Sequence, residues 1–269
     1  MRAVKIILIL LLVLVTMVFC ATEAKVHLSG NHVGPTIRCE TDLLEVSVRG
    51  DAQALLAGVT ASDAQDGDLT EEILIQGISK LIDHNTTRIT YIVFDSDGNM
   101  ASASRDLRYT DYTQPRFAVT RPLRYASGTA IPLLDRLQAT DVLDGDITGL
   151  IRVSQLNPTD EAELHTVDLQ VTNSLGDTAR ITLPVIVTYG DSSRPQVYLR
   201  EYLVYLKTGD SFAARDYLES VTSSDGSATV EDVMITGRVD TATPGTYMVF
   251  YRCSDGLGTG TAVLTVVVE

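Results

Sequence analysis

The chain has 269 residues, 45% apolar and 21% charged, the proportions of a folded protein rather than a disordered one. Its length accommodates one large domain or two to three small ones. A formal net charge of −14 excludes nucleic acid as a partner and disfavours anionic lipid, because both are held by Lys and Arg neutralising phosphates.

Met1 to Lys5 carries two positive charges, and Ile6 to Phe19 is almost purely aliphatic. That run is shorter than the roughly 20 residues that span a bilayer comfortably. A basic start, a short apolar core and small residues after it predict a secretory leader over residues 1–24. Thr22-Glu-Ala24 offers a cleavage site, with an uncleaved membrane anchor or lipidation at Cys20 as the alternatives. All three place the rest of the chain outside the cytoplasm, extracellular or at the cell surface, with membrane contact only through residues 1–24. No Leu-Pro-x-Thr-Gly sorting signal is present, so retention at the cell would come from the amino terminus. Removing Arg2, Lys5 and Glu23 from 21 basic and 35 acidic side chains leaves 19 and 34, so the exported part is more acidic still.

Beyond the leader the sequence repeats. Pro35, Pro115 and Pro195 recur every 80 residues, the second and third preceded by Tyr109-Thr-Asp111 and Tyr189-Gly-Asp191 in the same register. An acidic segment recurs as Asp63-Ala-Gln-Asp-Gly-Asp-Leu-Thr70, Asp141-Val-Leu-Asp-Gly-Asp-Ile-Thr148 and, reduced, Asp225-Gly226. A late turn recurs as Asp95-Ser-Asp-Gly98-Asn, Asn173-Ser-Leu-Gly176-Asp and Ser254-Asp-Gly-Leu-Gly258-Thr.

Between these landmarks the periodicity is that of strands. Arg88 to Phe94 is rich in β-branched and aromatic residues and runs into a turn, a hairpin signal. Ile181, Leu183, Val185, Val187 and Tyr189 alternate with mainly polar neighbours, with Pro184 predicting an edge or a bulge. Thr246 to Cys253 and Thr261 to Val268 form the corresponding pair in the third repeat. The expectation is an all-β chain of three tandem β-sandwiches over residues 33–112, 113–192 and 193–269. Laid end to end, three such sandwiches would reach on the order of 100 Å. Cys39 and Cys253 fall in different repeats and are expected to be unpaired, buried thiols.

These motifs resemble the bacterial surface Ig-like domain family, whose modules also occur in pesticidal crystal proteins. The resemblance rests on Val59 to Thr70 and Val93 to Asn99 in the first repeat, and on Ala139 to Thr148 in the second. In the third it rests on Pro195-Gln-Val-Tyr-Leu199, Gly209-Asp-Ser-Phe212 and Pro244-Gly-Thr-Tyr247. Two departures stand out. The second repeat has a polar stretch, Asn157 to Thr166, in place of Pro-Gly-Thr-Tyr, and the third loses most of its acidic segment. The resemblance implies Ig-like sandwiches on a cell surface, serving as spacers, stalks or adhesion units.

The acidic segments are the obvious place for chemistry. Calcium takes six to eight oxygens, and Asp63, Asp66, Asp68 and their counterparts Asp141, Asp144, Asp146 could supply some, joined by Asp111 or Asp191. Only Asp-Gly survives in all three repeats, which favours a tight turn over a calcium site. Asp95 to Asn99 lacks the distant Glu and flanking helices of an EF-hand and reads as a hairpin turn. Arg49-Gly50-Asp51 spells an integrin tripeptide, but its counterparts Ser127-Gly-Thr129 and Thr208-Gly-Asp210 make it a repeated turn.

No zinc pair, no nucleophile elbow and no convergent carboxylate pair argues for an enzyme; no catalytic residue and no cofactor is expected. If a hydrolase were present, Asp111 and Asp191 at the junctions would be the first places to look. The expected role is a non-catalytic structural or adhesive module with an unknown protein or glycan ligand. For the glycan alternative Trp is absent, and Tyr198, Tyr202, Tyr205 and Tyr217 supply the aromatic faces.

Overall fold

The computed structural model describes residues 11–20, 33–189, 193–224 and 226–269. Most of the expected leader, its cleavage site, Asp191 and Asp225 lie outside the described residues. Residues 11–20 are helical, and among the described residues no helix is long and apolar enough to cross a membrane. The chain divides into two compact units, Met1–Asp111 and Tyr112–Glu269.

The fold is all-β and Ig-like. In the first unit β1 (Thr36–Cys39), β3 (Val59–Asp63) and β4 (Gly67–Asp68) form one sheet. The other sheet runs β2 (Leu43–Val46), β7 (Met100–Tyr109), β6 (Thr86–Phe94), β5 (Leu74–Ile78). β6 shows why the sequence folds this way: Thr87, Ile89, Tyr91 and Val93 are buried while Arg88 and Phe94 face out. The inward residues meet Val59 and Ala61 of β3 and Leu107 of β7 in the core. Gly98, at φ 85°, closes the β6–β7 hairpin at the predicted turn.

The second unit holds two more sheet pairs. β8 (Arg116–Val119), β10 (Leu137–Asp141) and β11 (Gly145–Asp146) face a sheet of β9 (Arg124–Ala126), β15 (Thr178–Thr188), β14 (Leu164–Thr172) and β12 (Arg152–Val153), with β13 (Asn157–Pro158) also on β14. Then β16 (Gln196–Leu199) and β18 (Leu218–Thr222) face β17 (Leu203–Leu206), β21 (Gly258–Val268), β20 (Gly245–Asp255) and β19 (Met234–Thr236). In every pair the short second strand joins the last strand in parallel, as β2 with β7, β9 with β15 and β17 with β21. Side-chain alternation carries no sign of strand direction, so the parallel pairing is absent from the sequence pattern.

Pro184 sits in an unbroken β14–β15 register. β9 pairs with β15 only from Ile186 onward, so the N–H that Pro184 lacks would have met no acceptor there. It is a local edge inside a continuous strand.

The two sandwiches of the second unit are joined by more than their linker. On β21 the inward residues Ala262, Leu264, Val266 and Val268 belong to their own core. The outward Val263 and Thr265 are buried as well, and Val267 packs against the core of the preceding sandwich. Leu203 is fully part of that preceding core, with Tyr205 against it. Burying one leucine in this way contributes on the order of 2 kcal/mol. Independent beads held end to end do not describe this pair, because one apolar face of the third sandwich is completed by the second.

Candidate functional site

The acidic segments form two nearly superimposable turns. Asp63 Oδ1 accepts the backbone N–H groups of Gln65 (2.7 Å) and Asp66 (3.2 Å), and Asp141 Oδ1 those of Leu143 (2.9 Å) and Asp144 (3.0 Å). Asp68 Oδ1 accepts from the Thr70 backbone and hydroxyl, and Asp146 Oδ1 from the Thr148 backbone. The middle aspartates reach further. Asp66 takes the Ser96 N–H (2.7 Å) and hydroxyl (2.8 Å), and Asp144 takes those of Ser174 (2.6 and 2.7 Å). Two landmarks read separately in the sequence are thus one clamp, tying the acidic turn to the late hairpin 30 residues on. The sequence signal was there, a serine second in both late turns.

Among the described residues no group of three or more His, Cys, Asp or Glu is placed to hold a metal ion. The two copies differ at one atom. Asp141 Oδ2 accepts from Asn173 Nδ2, whereas Asp63 Oδ2 is buried without a hydrogen-bond partner.

Two expected outcomes follow from these turns. Asp144→Ala removes two charge-assisted hydrogen bonds at an exposed site and should cost about 1 kcal/mol, read as a lower urea midpoint at unchanged slope. The second concerns pH. The Thr70 hydroxyl and N–H hold Asp68 below the usual carboxylate range, and those of Thr148 and Thr229 do the same for Asp146 and Asp232. A carboxylate whose folded pKa is depressed stabilises the fold above its unfolded value near 3.9 and loses that contribution as pH falls through the folded value. The melting temperature should therefore fall as pH drops below about 4. A flat melting temperature down to pH ~2.5 would show that these bonds add no net stability.

The polar stretch Asn157 to Thr166 serves the junction inside the second unit. It builds β13 and then a turn in which Glu163 adopts φ 69°. From that turn Glu163 binds Arg194 through both oxygens (2.9 and 3.0 Å), and Glu161 binds Arg252 (2.5 Å). Arg124 lies between the sandwiches, donating to the Thr261 carbonyl (2.6 Å), the Val197 carbonyl (3.3 Å) and Gln196 Oε1 (3.5 Å). Burial lowers its pKa, and it stays charged as arginine does in proteins. On another side Arg116 pairs with Glu269 and stacks on Tyr205, whose hydroxyl accepts the Phe117 N–H (3.1 Å).

Beside this junction runs a polar groove. Its floor is the outer face of the β12–β14–β15 sheet, where cross-strand pairing sets Arg152, Gln170 and Arg180 in one row. The next row holds Asp168 and Thr182, hydrogen-bonded at 2.6 Å, and the one on the other side holds Thr172 and Thr178 at 2.8 Å. Cavities of about 630 and 320 Å³ meet at Arg180, Ile181 and Thr246, the last from the third sandwich.

A family model described as bacterial Ig-like domain (group 3) matches residues 205–268. The match covers one repeat. No curated protein matches the sequence. Among solved structures, the chain is similar to the M60 catalytic domain with two CBM51 domains of Clostridium perfringens ZmpB (12% identity, TM-score 0.24, 88% of this chain and 31% of that one). It is also similar to CBM51-2 in complex with GlcNAc and INT domains from the same protein (15%, 0.24, 87% and 42%). Human CDH23 EC21–23 matches at 12% identity and TM-score 0.22, over 87% of this chain and all of that one (100%). The chain thus spans less than half the length of the two ZmpB structures. At this level of likeness nothing about ligand or activity transfers.

The remaining sequence-derived residues have local partners. Gly50 donates to the Ser47 carbonyl, and Asp51 accepts the Ala54 N–H, so Arg49-Gly50-Asp51 is a turn leading into a short 3-10 segment. Asp111 is bound by the Val48 N–H and the Ser47 hydroxyl, both at 2.7 Å, and those donors hold its carboxyl below the usual range. The tyrosines proposed as glycan platforms are half-buried. Tyr217 stacks on Phe212, Tyr202 packs against its core, and Tyr198 donates to Gln196. Cys253 is buried and Cys39 partly so, both as free thiols.

Proposed function

We propose that this chain is an exported bacterial surface protein whose Ig-like modules, at residues 33–112, 113–192 and 193–269, act as a non-catalytic structural or adhesive spacer. The observation that carries the reading is the junction in the second unit. A half-buried guanidinium, two acid–arginine struts and a shared apolar face hold two sandwiches as one body. Such a joint fixes the direction in which a surface module presents its outer face, which a linker alone would leave free. The basic, apolar leader at residues 1–24 supports export, by cleavage or as an anchor. Protease treatment of intact cells tests this: the chain should be digested while a cytoplasmic marker survives, and its protection would overturn the reading.

The polar groove favours the glycan-binding alternative as the adhesive activity, because it offers hydroxyl, amide and guanidinium groups on an open floor. Calcium stiffening keeps its place as a variant of the spacer reading, with Asp63, Asp66, Asp68, Asp141, Asp144 and Asp146 as the ligands to test. A rise of many degrees in melting temperature with millimolar calcium, reversed by EDTA, would establish it.

A further inference from the structure

We infer that the groove on the β12–β14–β15 face is a binding site for an extended acidic polysaccharide, read by the guanidinium groups of Arg152 and Arg180. The inference rests on the surface-module reading above and names its ligand.

The first argument is charge. The chain carries 35 acidic against 21 basic side chains, so its surface as a whole repels anions. Within the groove Arg116 is neutralised by Glu269, while Asp168, hydrogen-bonded to the Thr182 hydroxyl, keeps its negative charge one row from Arg152 and Arg180 and offsets one of the two. Arg152 and Arg180 are exposed, and among the described residues neither has a hydrogen-bond or ion-pair partner. Elsewhere in this unit Arg116, Arg124, Arg136, Arg194 and Arg252 are all engaged. Among the described residues of this unit Arg200 and Arg238 are also exposed without a side-chain partner, but Arg152 and Arg180 are the two that strand register sets in one row of a groove. Carboxylates are what such planar forks bind bidentately.

Geometry supplies the second argument. Arg152 and Arg180 stand opposite Gln170 on either side, two strand spacings apart, so their backbones are about 10 Å from each other. A ligand touching both must be extended and must repeat its charge. The hydroxyls of Thr172, Thr178, Thr182 and Thr246 and the Gln170 amide suit a polyhydroxylated chain between the charges. The apolar part of the floor is aliphatic, Val153, Leu169 and Ile181, and none of its lining residues is an aromatic of the kind that dominates protein–protein hot spots. The occupant favoured is thus a carboxylated glycan and not an acidic protein segment.

The test is titration of the full chain with polygalacturonate, neutral dextran and polyglutamate, at low and at physiological salt, with sugar release followed in parallel. Polygalacturonate should bind, weaken with salt, and lose at least tenfold in affinity in the Arg152→Gln, Arg180→Gln double variant, while dextran does not bind. Both positions are exposed and unpartnered, so the variant should melt like the parent. Equal binding by the double variant, equal binding of dextran, tighter binding of polyglutamate, or no binding of polygalacturonate would each overturn the inference. Binding accompanied by cleavage of the polymer would leave the site standing and instead overturn the non-catalytic reading.

Discussion

Replacing Gly260 by alanine is expected to destabilise the third sandwich by about 3 kcal/mol or more, toward the upper end of overpacking costs. Gly260 is buried in β21, opposite Cys253 of β20. A Cβ at this position would lie inside the van der Waals shell of the Pro195 carbonyl oxygen. Backbone is on both sides of that clash, so no rotamer change relieves it. Either β16 or β21 would have to move, and β16 carries Val197 and Leu199 into the core. Urea unfolding with the fluorescence of the nearby tyrosines would read the loss. A change under 1 kcal/mol would mean that the Pro195 strand shifts freely. Gly256, with open space around it, serves as the control: alanine there should change little.

Arg124→Met should cost about 2–3 kcal/mol, because it keeps much of the side chain's volume while leaving the Val197 and Thr261 carbonyls without their donor. The more telling consequence is cooperativity. In the parent the residues from Tyr112 to Glu269 should unfold in one calorimetric transition, as one compact unit does. In the variant the two sandwiches should begin to melt apart, the third at the lower temperature because its outward face on β21 depends on its neighbour. Combining Arg124→Met with Glu163→Gln should add less than the sum of the two. Both act on the same joint, and coupled sites are not additive. A single unshifted transition in Arg124→Met would show that apolar contact alone holds the pair.

The strands and turns were legible because their signals are local. The alternation at Thr87, Ile89, Tyr91 and Val93, and the glycines at Gly67, Gly98, Gly145 and Gly176 with φ of 80°, 85°, 72° and 82°, are written in neighbouring residues. The contacts between residues distant in the chain were not. Asp66 and Ser96 each read as turn chemistry alone, and only the fold brings them to 2.8 Å. The polar stretch at Asn157 to Thr166 read as a departure from a pattern, since nothing local says that Glu161 and Glu163 meet arginines of the next repeat. Arg152 and Arg180 were missed for the same reason. They are 28 positions apart, separated by a loop and two turns, and become neighbours in a row only through strand register.

The double burial of β21 also bears on how such chains can be rearranged. The motifs recur every eighty residues, yet the sandwich built on the last of them has given up its freedom to stand elsewhere. Cut out and grafted behind a different partner, it would arrive with Leu203, Val263 and Val267 uncovered, a sticky apolar patch on an otherwise acidic body. The sequence period and the compact unit do not coincide here.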